Sequence, residues 1–233
     1  MKKIIKNILG KDLSDRFVLW LSGHGFYNHS LKSYAQEGED IILNSIFKNV
    51  QKGFYVDVGA HHPMKYSNTY FFYKKGWNGI NIDAMPGSMK LFNKIRKRDI
   101  NLEMGVAKEE GVLDYYMFKE PALNGFLSSE EAKSKKSDIL RCKKIFVLPL
   151  SKILDKHLKK GKKIDFLSVD VEGLDLDVLK SNNWEKYKPE VILVEIRSND
   201  YSELTNDEVH KFLQNKNYSL IAKTRLNAIY KIK

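Results

Sequence analysis

Hydrophobic and polar positions along this chain follow two alternating rhythms. Short apolar runs of strand length are separated by stretches with apolar residues at helical spacing. Residues 53–58 (Gly53-Phe-Tyr-Val-Asp-Val58), 79–83 and 100–106 read as strands. Residues 68–75 and 85–97 read as the helices between them. A further helix over 39–48 comes first, with Ile41, Ile42, Ser45 and Ile46 on one face. This βαβαβ order predicts a parallel sheet with helices on both faces. Residues 112–118 alternate like a strand. Residues 119–143 are polar and carry Pro121, Asn124-Gly125 and Ser128-Ser129, which predicts an excursion over the sheet edge. Residues 145–148 are β-prone, and Ser151 is expected to cap a helix running through His157. The alternation then resumes with strands at 164–169 and 191–196 and helices at 174–181 and 205–214. Strands at 218–222 and 228–232 are too close for a crossover and predict an antiparallel hairpin.

Ahead of this domain, Ile4, Ile5, Ile8, Leu9, Leu13 and Phe17 form a stripe at helical spacing among Lys2, Lys3, Lys6 and Lys11. Two readings stand for residues 1–21: a basic helix in peripheral contact with a membrane, or a face packed on the protein's own domain or on a partner in an oligomer. Gly23, Gly25, Asn28 and His29 mark a loop. The expected organisation is a helical extension over 1–32 and one α/β domain over 33–233, with a substrate-side excursion near 112–148.

Composition narrows the class. A hydrophobic share of 42% supports a packed core. The single cysteine, Cys142, excludes an internal disulfide and any cysteine-based zinc cluster. Lys6, Lys11 and Asp12 break the apolar run a signal peptide needs, and no run reaches the roughly 18 residues of a membrane span. A cytoplasmic protein is therefore expected. The formal charge of +11 favours acidic partners. The lysines are spread along the whole chain, however, and no nucleic-acid-binding signature accompanies them. A solvated lysine-rich surface is the simpler account, and no nucleic-acid partner is expected.

The most informative segment is Val56-Asp-Val-Gly-Ala-His-His-Pro63. An apolar strand enters a glycine turn with an acid just before it, and the carboxyl ends of parallel strands form the ligand crevice. Gly59 permits a tight turn. Asp83 closes the next strand, where a carboxylate can accept both hydroxyls of a ribose. Either acid alone reads equally well as a turn or helix cap; the two together point to a nucleoside. A dinucleotide fingerprint requires a second glycine where this chain has His61, and Pro63 removes a backbone donor. A nucleoside without phosphates, such as S-adenosylmethionine, meets neither obstacle.

These blocks resemble the FkbM-type family of class I S-adenosylmethionine-dependent methyltransferases. Ser33-Tyr-Ala-Gln-Glu-Gly-Glu-Asp40, Phe54 to Pro63, Ser67-Asn-Thr-Tyr70, Gly76-Trp-Asn-Gly-Ile-Asn-Ile-Asp83 and Ile164-Asp-Phe-Leu-Ser-Val-Asp-Val-Glu-Gly173 carry the resemblance in order, over about residues 33–232. Pro149-Leu-Ser151 departs from the family, which often has an acid after a Thr-Leu pair there. The resemblance implies a doubly wound, Rossmann-like seven-stranded sheet, mostly parallel with an antiparallel last strand, in a three-layer sandwich. It implies methyl transfer, usually to oxygen, often on sugars of natural products or surface glycans. By position, Asp57 and Gly59 would line the methionine half of the cofactor and Asp83 would bind its ribose. Gly105 and Val106 would lie near the adenine, and Gln36 and Asn68 would border the cleft.

Methyl transfer to a hydroxyl needs alignment and removal of a proton. His61 and His62 are candidate bases, because imidazole titrates near neutral pH, although packing or capping explains at least one of them. Asp170 and Glu172 close the fourth strand over the cleft, where either can act as base or bind a sugar hydroxyl, and Asp170 also borders the cofactor. Glu195, in an apolar strand, needs a partner if buried, and Arg197 can supply it. Asp170, Glu172 and Glu195 together could hold Mg²⁺. Asn124, Ser128 and Ser129 in the excursion are candidate substrate contacts or ordinary loop residues. Trp77 reads as core. A nucleic-acid methyltransferase and a non-catalytic nucleoside- or lipid-binding module are the competing readings.

Overall fold

A computed structural model describes residues 31–119, 124–127, 137–198 and 200–233, together with residues 16 and 134. The chain divides into Met1–Lys32 and Ser33–Lys233, and the second unit holds the α/β domain. The expected helix and loop of the N-terminal extension, Ser128 and Ser129 lie outside the described residues, apart from residue 16. Among the described residues no helix is long and apolar enough to cross a membrane.

Seven strands form the main sheet: β1 (Phe54–Val58), β2 (Asn78–Asp83), β3 (Ile100–Glu103), β8 (Phe166–Val169), β9 (Val191–Glu195), β10 (Tyr218–Lys223) and β11 (Asn227–Ile232). Their order is β10-β11-β9-β8-β1-β2-β3. β1, β2, β3, β8 and β9 pair in parallel, while β11 runs antiparallel to both β9 and β10. The doubly wound sheet with one reversed strand is thus the observed architecture, and the hairpin predicted at the end of the chain is what reverses it.

Burial shows why the sheet is a middle layer. Every residue of β1 and β8 is buried, and side chains alternate between two cores as strand geometry requires. Phe54, Val56, Val58, Ile192 and Val194 face one core. There they meet Leu150, Ile153 and Leu154 of α4 (Leu150–His157), Val178 and Leu179 of α5 (Asp175–Lys180), and Val209 and Leu213 of α7 (Glu208–Asn215). Tyr55, Phe166, Val191 and Leu193 face the other, against Leu43 of α1 (Glu39–Ile46) and Phe72 of α2 (Tyr70–Lys74). Trp77, expected to be core, is fully buried in this second core. A third helix of the first half, α3 (Met89–Ile95), packs Met89 and Phe92 against Ala60.

Several boundaries depart from expectation. The predicted strand 100–106 breaks at Met104: β3 stays in the main sheet, while β4 (Gly105–Val106) joins a second sheet. The other strands of that sheet are β5 (Gly111–Phe118), β6 (Gly125–Phe126) and β7 (Ile139–Leu148), and its order is β4-β7-β5-β6. Among its described residues the excursion is therefore largely β structure, and β7 is longer than the apolar run at 145–148. Its outer half projects beyond the core, so Arg141, Lys143 and Lys144 stay exposed while the backbone pairs along β5. Ser151 is not the cap of α4; Pro149 holds that position, and the Leu150 amide is met instead by the Ser181 hydroxyl at 2.9 Å. The helix predicted over 205–214 is two helices, α6 (Tyr201–Asn206) and α7. They part at Asp207, whose carboxylate accepts from the amides of Val209 and His210 and starts the second.

Candidate active site

A cavity of about 500 Å³ opens at the carboxyl ends of the main strands, a volume suited to a nucleoside-sized ligand. Its floor begins with the β1 turn. Gly59 has φ +82°, and a Cβ there would stand 1.7 Å from the carbonyl oxygen of Asp170. The glycine therefore serves the close approach of the β1 and β8 ends as much as the turn itself. Asp57, just before it, is buried and accepts a hydrogen bond from the Thr69 hydroxyl at 2.8 Å. Burial pushes its carboxyl up to about 6, against the opposing pull of Thr69 and of the Arg96 charge.

Arg96 supports this loop from beneath. It is fully buried, pairs with Asp99 at 2.8 Å, and donates to the Pro63 carbonyl, the Tyr55 hydroxyl and the Thr69 hydroxyl. One guanidinium thus ties the cofactor-type loop, β1 and the start of α2 together. Removing one partner of such a buried pair costs about 3–5 kcal/mol.

Asp83 ends β2 and accepts the backbone N–H groups of His61 and Met85, at 2.7 and 2.8 Å. Each of its oxygens retains a second lone pair for a ligand hydroxyl. Burial raises its carboxyl above the usual range, and the two amides oppose that shift. His61 lines the cavity with a left-handed backbone, φ 51°. His62 does not line it. Its Nδ1 accepts from the amides of Met64 and Lys65 at 3.1 and 2.9 Å, which makes it a cap of the loop. Burial, and then the neighbouring His61, lowers its pKa.

Around these, Gln36, Asn68, Gly105 and Val106 all line the same cavity. Asn68 donates to the Ser168 hydroxyl at 3.2 Å. Gly105 is held small by packing: a Cβ would stand 2.6 Å from the Phe126 ring and 2.7 Å from Val147. Asn124 lines the cavity too. Its Oδ1 accepts from the Phe118 amide at 2.7 Å, and its Nδ2 lies 3.7 Å from the Met85 sulfur.

The far wall is acidic. Asp170, Glu172 and Glu195 present oxygens that all lie within 4.8 Å of one another. Arg197 donates to Glu195 at 2.8 Å and to Glu172 at 2.9 Å. Asp170 makes no side-chain hydrogen bond among the described residues. Burial and the charges of Glu195, Asp175 and Glu172 hold its carboxyl well above the usual carboxylate range. The three oxygens are of the kind a hard divalent cation takes. Arg197 already neutralises part of their charge, so a cation there would have to share the two glutamates with it.

Sequence reasoning missed several lining residues: Ser168, Met85 and Met104, and Tyr115 and Phe126 from the second sheet. Ser168 and Met85 sit beside residues that were singled out. Tyr115 lay within an alternating strand, but nothing in that pattern said which sheet the strand joins.

A seven-stranded sheet in this order, with a nucleoside-sized cavity at its carboxyl edge and a carboxylate closing each of its first two strands, defines the class: an S-adenosylmethionine-dependent methyltransferase. The chain matches the methyltransferase FkbM domain family over residues 57–220, and it belongs to that family. Among solved structures it is similar to a precorrin-6y C5,15-methyltransferase from Geobacter metallireducens, with 13% identity, TM-score 0.44, and 88% of this chain and 93% of that chain covered. It is also similar to a TehB-like SAM-dependent methyltransferase from Corynebacterium glutamicum, with 8% identity, TM-score 0.42, and 94% and 97% covered. An O-methyltransferase from Bacillus cereus in complex with SAH shares 11% identity at a TM-score of 0.39, with 100% and 96% covered. No curated protein matches the chain.

Proposed function

We propose that the protein transfers the methyl group of S-adenosylmethionine to a hydroxyl of a sugar, nucleotide-linked or part of a surface-glycan precursor. One observation carries this reading. The strand-end carboxylates Asp57 and Asp83 share a single cavity with the cluster of Asp170, Glu172, Glu195 and Arg197. The first pair suits the cofactor and the second suits a polyhydroxyl acceptor.

When bound, S-adenosylmethionine supplies a methyl group on a positively charged sulfur. Asp83 accepts the ribose hydroxyls through the lone pairs its two backbone donors leave free. Asp57 presents negative charge to the amino-acid end, with Gly59 and Asn68 bordering it. Gly105 and Val106 flank the base. Asp170 takes the proton from the acceptor hydroxyl, a task helped by a carboxyl that burial holds above the usual carboxylate range. Glu172, Glu195 and Arg197 offer acceptors and donors to the neighbouring hydroxyls, and Asn124 borders them. His61 stands at the same opening as an alternative base. A strand of nucleic acid fits this wall poorly, because its phosphates would face three carboxylates.

A divalent cation is a second reading of the same wall, favoured by the spacing of the three carboxylates. Mg²⁺ held there would orient the acceptor oxygen.

The test is methyl transfer from labelled S-adenosylmethionine to a panel of sugars and nucleotide sugars, with and without Mg²⁺ and after chelation. Asp170→Asn should lose about 10²–10⁴-fold in turnover while still binding S-adenosylhomocysteine. Transfer to nucleic acid but to no sugar would overturn the acceptor assignment. Unchanged turnover after chelation would dismiss the cation.

A further inference from the structure

Tyr115 lies on β5, in the second sheet, far from every sequence block that suggests a cofactor site. It is only 6% exposed and it lines the cavity. Its ring is fixed on one side by Phe126, its partner across the β5–β6 ladder, in an edge-to-face contact with centroids 5.1 Å apart. Phe126 in turn fills the space beside Gly105. The Tyr115 hydroxyl, in contrast, makes no hydrogen bond among the described residues. The ring is held rigidly in the packing while the residue lines the cavity, which poises the hydroxyl for a ligand group.

The surroundings indicate which ligand group. Asn124, next to β6, meets the sulfur of Met85, two residues past Asp83. Phe126 meets Gly105, just beyond β3. The second sheet therefore closes on the cavity at the ends of β2 and β3, where the nucleoside half of the cofactor is proposed to sit. The hydroxyl also lies within the field of Asp83 and, less strongly, of Glu172. Burial, and then both charges, keep the phenol protonated and hence a donor.

We infer that Tyr115 is a cofactor-binding residue whose hydroxyl donates a hydrogen bond to a ribose hydroxyl of the adenosyl group, so that the second sheet and Asp83 hold the ribose together. The inference rests on the reading that Asp83 binds the ribose. It gives the β5–β6–β7 excursion a role in cofactor binding beyond forming an acceptor wall.

The experiment is calorimetric titration of S-adenosylhomocysteine and its 2′-deoxy and 3′-deoxy analogues into the full chain and two variants. Tyr115→Phe keeps the ring and its contact with Phe126 and removes one oxygen. It should weaken S-adenosylhomocysteine about 3–10-fold, the effect of one hydrogen bond. For one of the two deoxy analogues, Tyr115→Phe and the unaltered protein should bind alike. An unchanged affinity in Tyr115→Phe, or an equal loss for all three ligands, overturns the inference. Asp83→Ala separates the two levels. If it weakens binding and Tyr115→Phe does not, only the role of Tyr115 fails. If it has no effect, the ribose reading fails and the inference with it. Should Tyr115→Phe not fold, as read by thermal melting, the analogues decide on the unaltered protein: equal affinity for all three overturns the inference.

Discussion

Asp57 carries two opposed demands. Its place at the end of a fully buried strand favours the neutral acid, with a carboxyl raised to about 6. On the proposed reading, the ammonium at the amino-acid end of the cofactor calls for the ionised form. Ligand binding must therefore hold the carboxylate ionised, and it becomes harder as pH falls through about 6. We expect the dissociation constant for S-adenosylhomocysteine to be nearly flat from pH 8 to 7. Below the pKa of Asp57 it should rise by up to about tenfold per pH unit, one proton being linked to release of the ligand. Asp57→Asn should bind weakly and without that slope. Calorimetry between pH 5 and 8 measures both, and a flat profile for the unaltered protein would remove Asp57 from the cofactor contacts. His62 makes the opposite point at this scale. As a sequence position it was a candidate base, but its Nδ1 is committed to two backbone amides, which suits a cap better than a proton acceptor.

Elements were legible to the extent that burial was two-sided. β1, β8 and β9 are covered on both faces, so their sequences are apolar runs that stand out, and the acids at their ends followed from the sheet's geometry. β7 is the counter-example. Most of its length is exposed, its ladder is held by backbone pairing with β5, and its side chains include Arg141, Lys143 and Lys144, so it carries no apolar signature. The break at Met104 was hidden for a different reason: 100–106 alternates apolar and polar or glycine positions without interruption, and nothing local says that its last two residues leave for another sheet. Tyr115 and Phe126 were missed as a consequence, because their place over the cavity depends on that departure. The turn between β1 and α2 is the element on which most of the site hangs, and it tolerates no side chain at Gly59. Gly59→Ala would place a methyl group against the Asp170 carbonyl and hold alanine at φ +82°. The backbone strain alone costs about 1–3 kcal/mol, and the clash must push β1 and β8 apart. We expect a lower melting temperature, and loss of S-adenosylhomocysteine binding even where the variant remains folded.

At the scale of the whole molecule, the carboxyl edge of the sheet gathers charge that the fold does not neutralise. Asp57 and Asp175 are both buried with carboxyls near 6, and Asp170 and Asp83 are raised as well. In the unfolded chain these groups titrate near 3.8. A carboxyl whose folded pKa lies above its unfolded one binds more protons in the folded state between those values. Its contribution is therefore fully present below about 3.8 and is lost as pH rises through about 6. For Asp57 and Asp175 the shift corresponds to about 3 kcal/mol each at neutral pH, as an upper figure. The lowered carboxyls of Glu190 and Asp155 act in the opposite sense, but they sit in exposed lysine pairs of small effect. The ligand-free enzyme thus holds its active-site edge at a cost in stability, the usual relation between a functional site and its fold. Asp57→Asn isolates that cost, because asparagine can still accept the Thr69 hydroxyl through its carbonyl. We expect this variant to match the unaltered protein in stability near pH 4 and to exceed it near pH 8. Comparing the two chains at each pH cancels the contribution of the remaining charges. Chemical denaturation at the two pH values measures the difference. A variant less stable than the unaltered protein at pH 8 would mean that the ionised Asp57 is compensated within the fold, by Thr69 and Arg96, and needs no ligand to balance it.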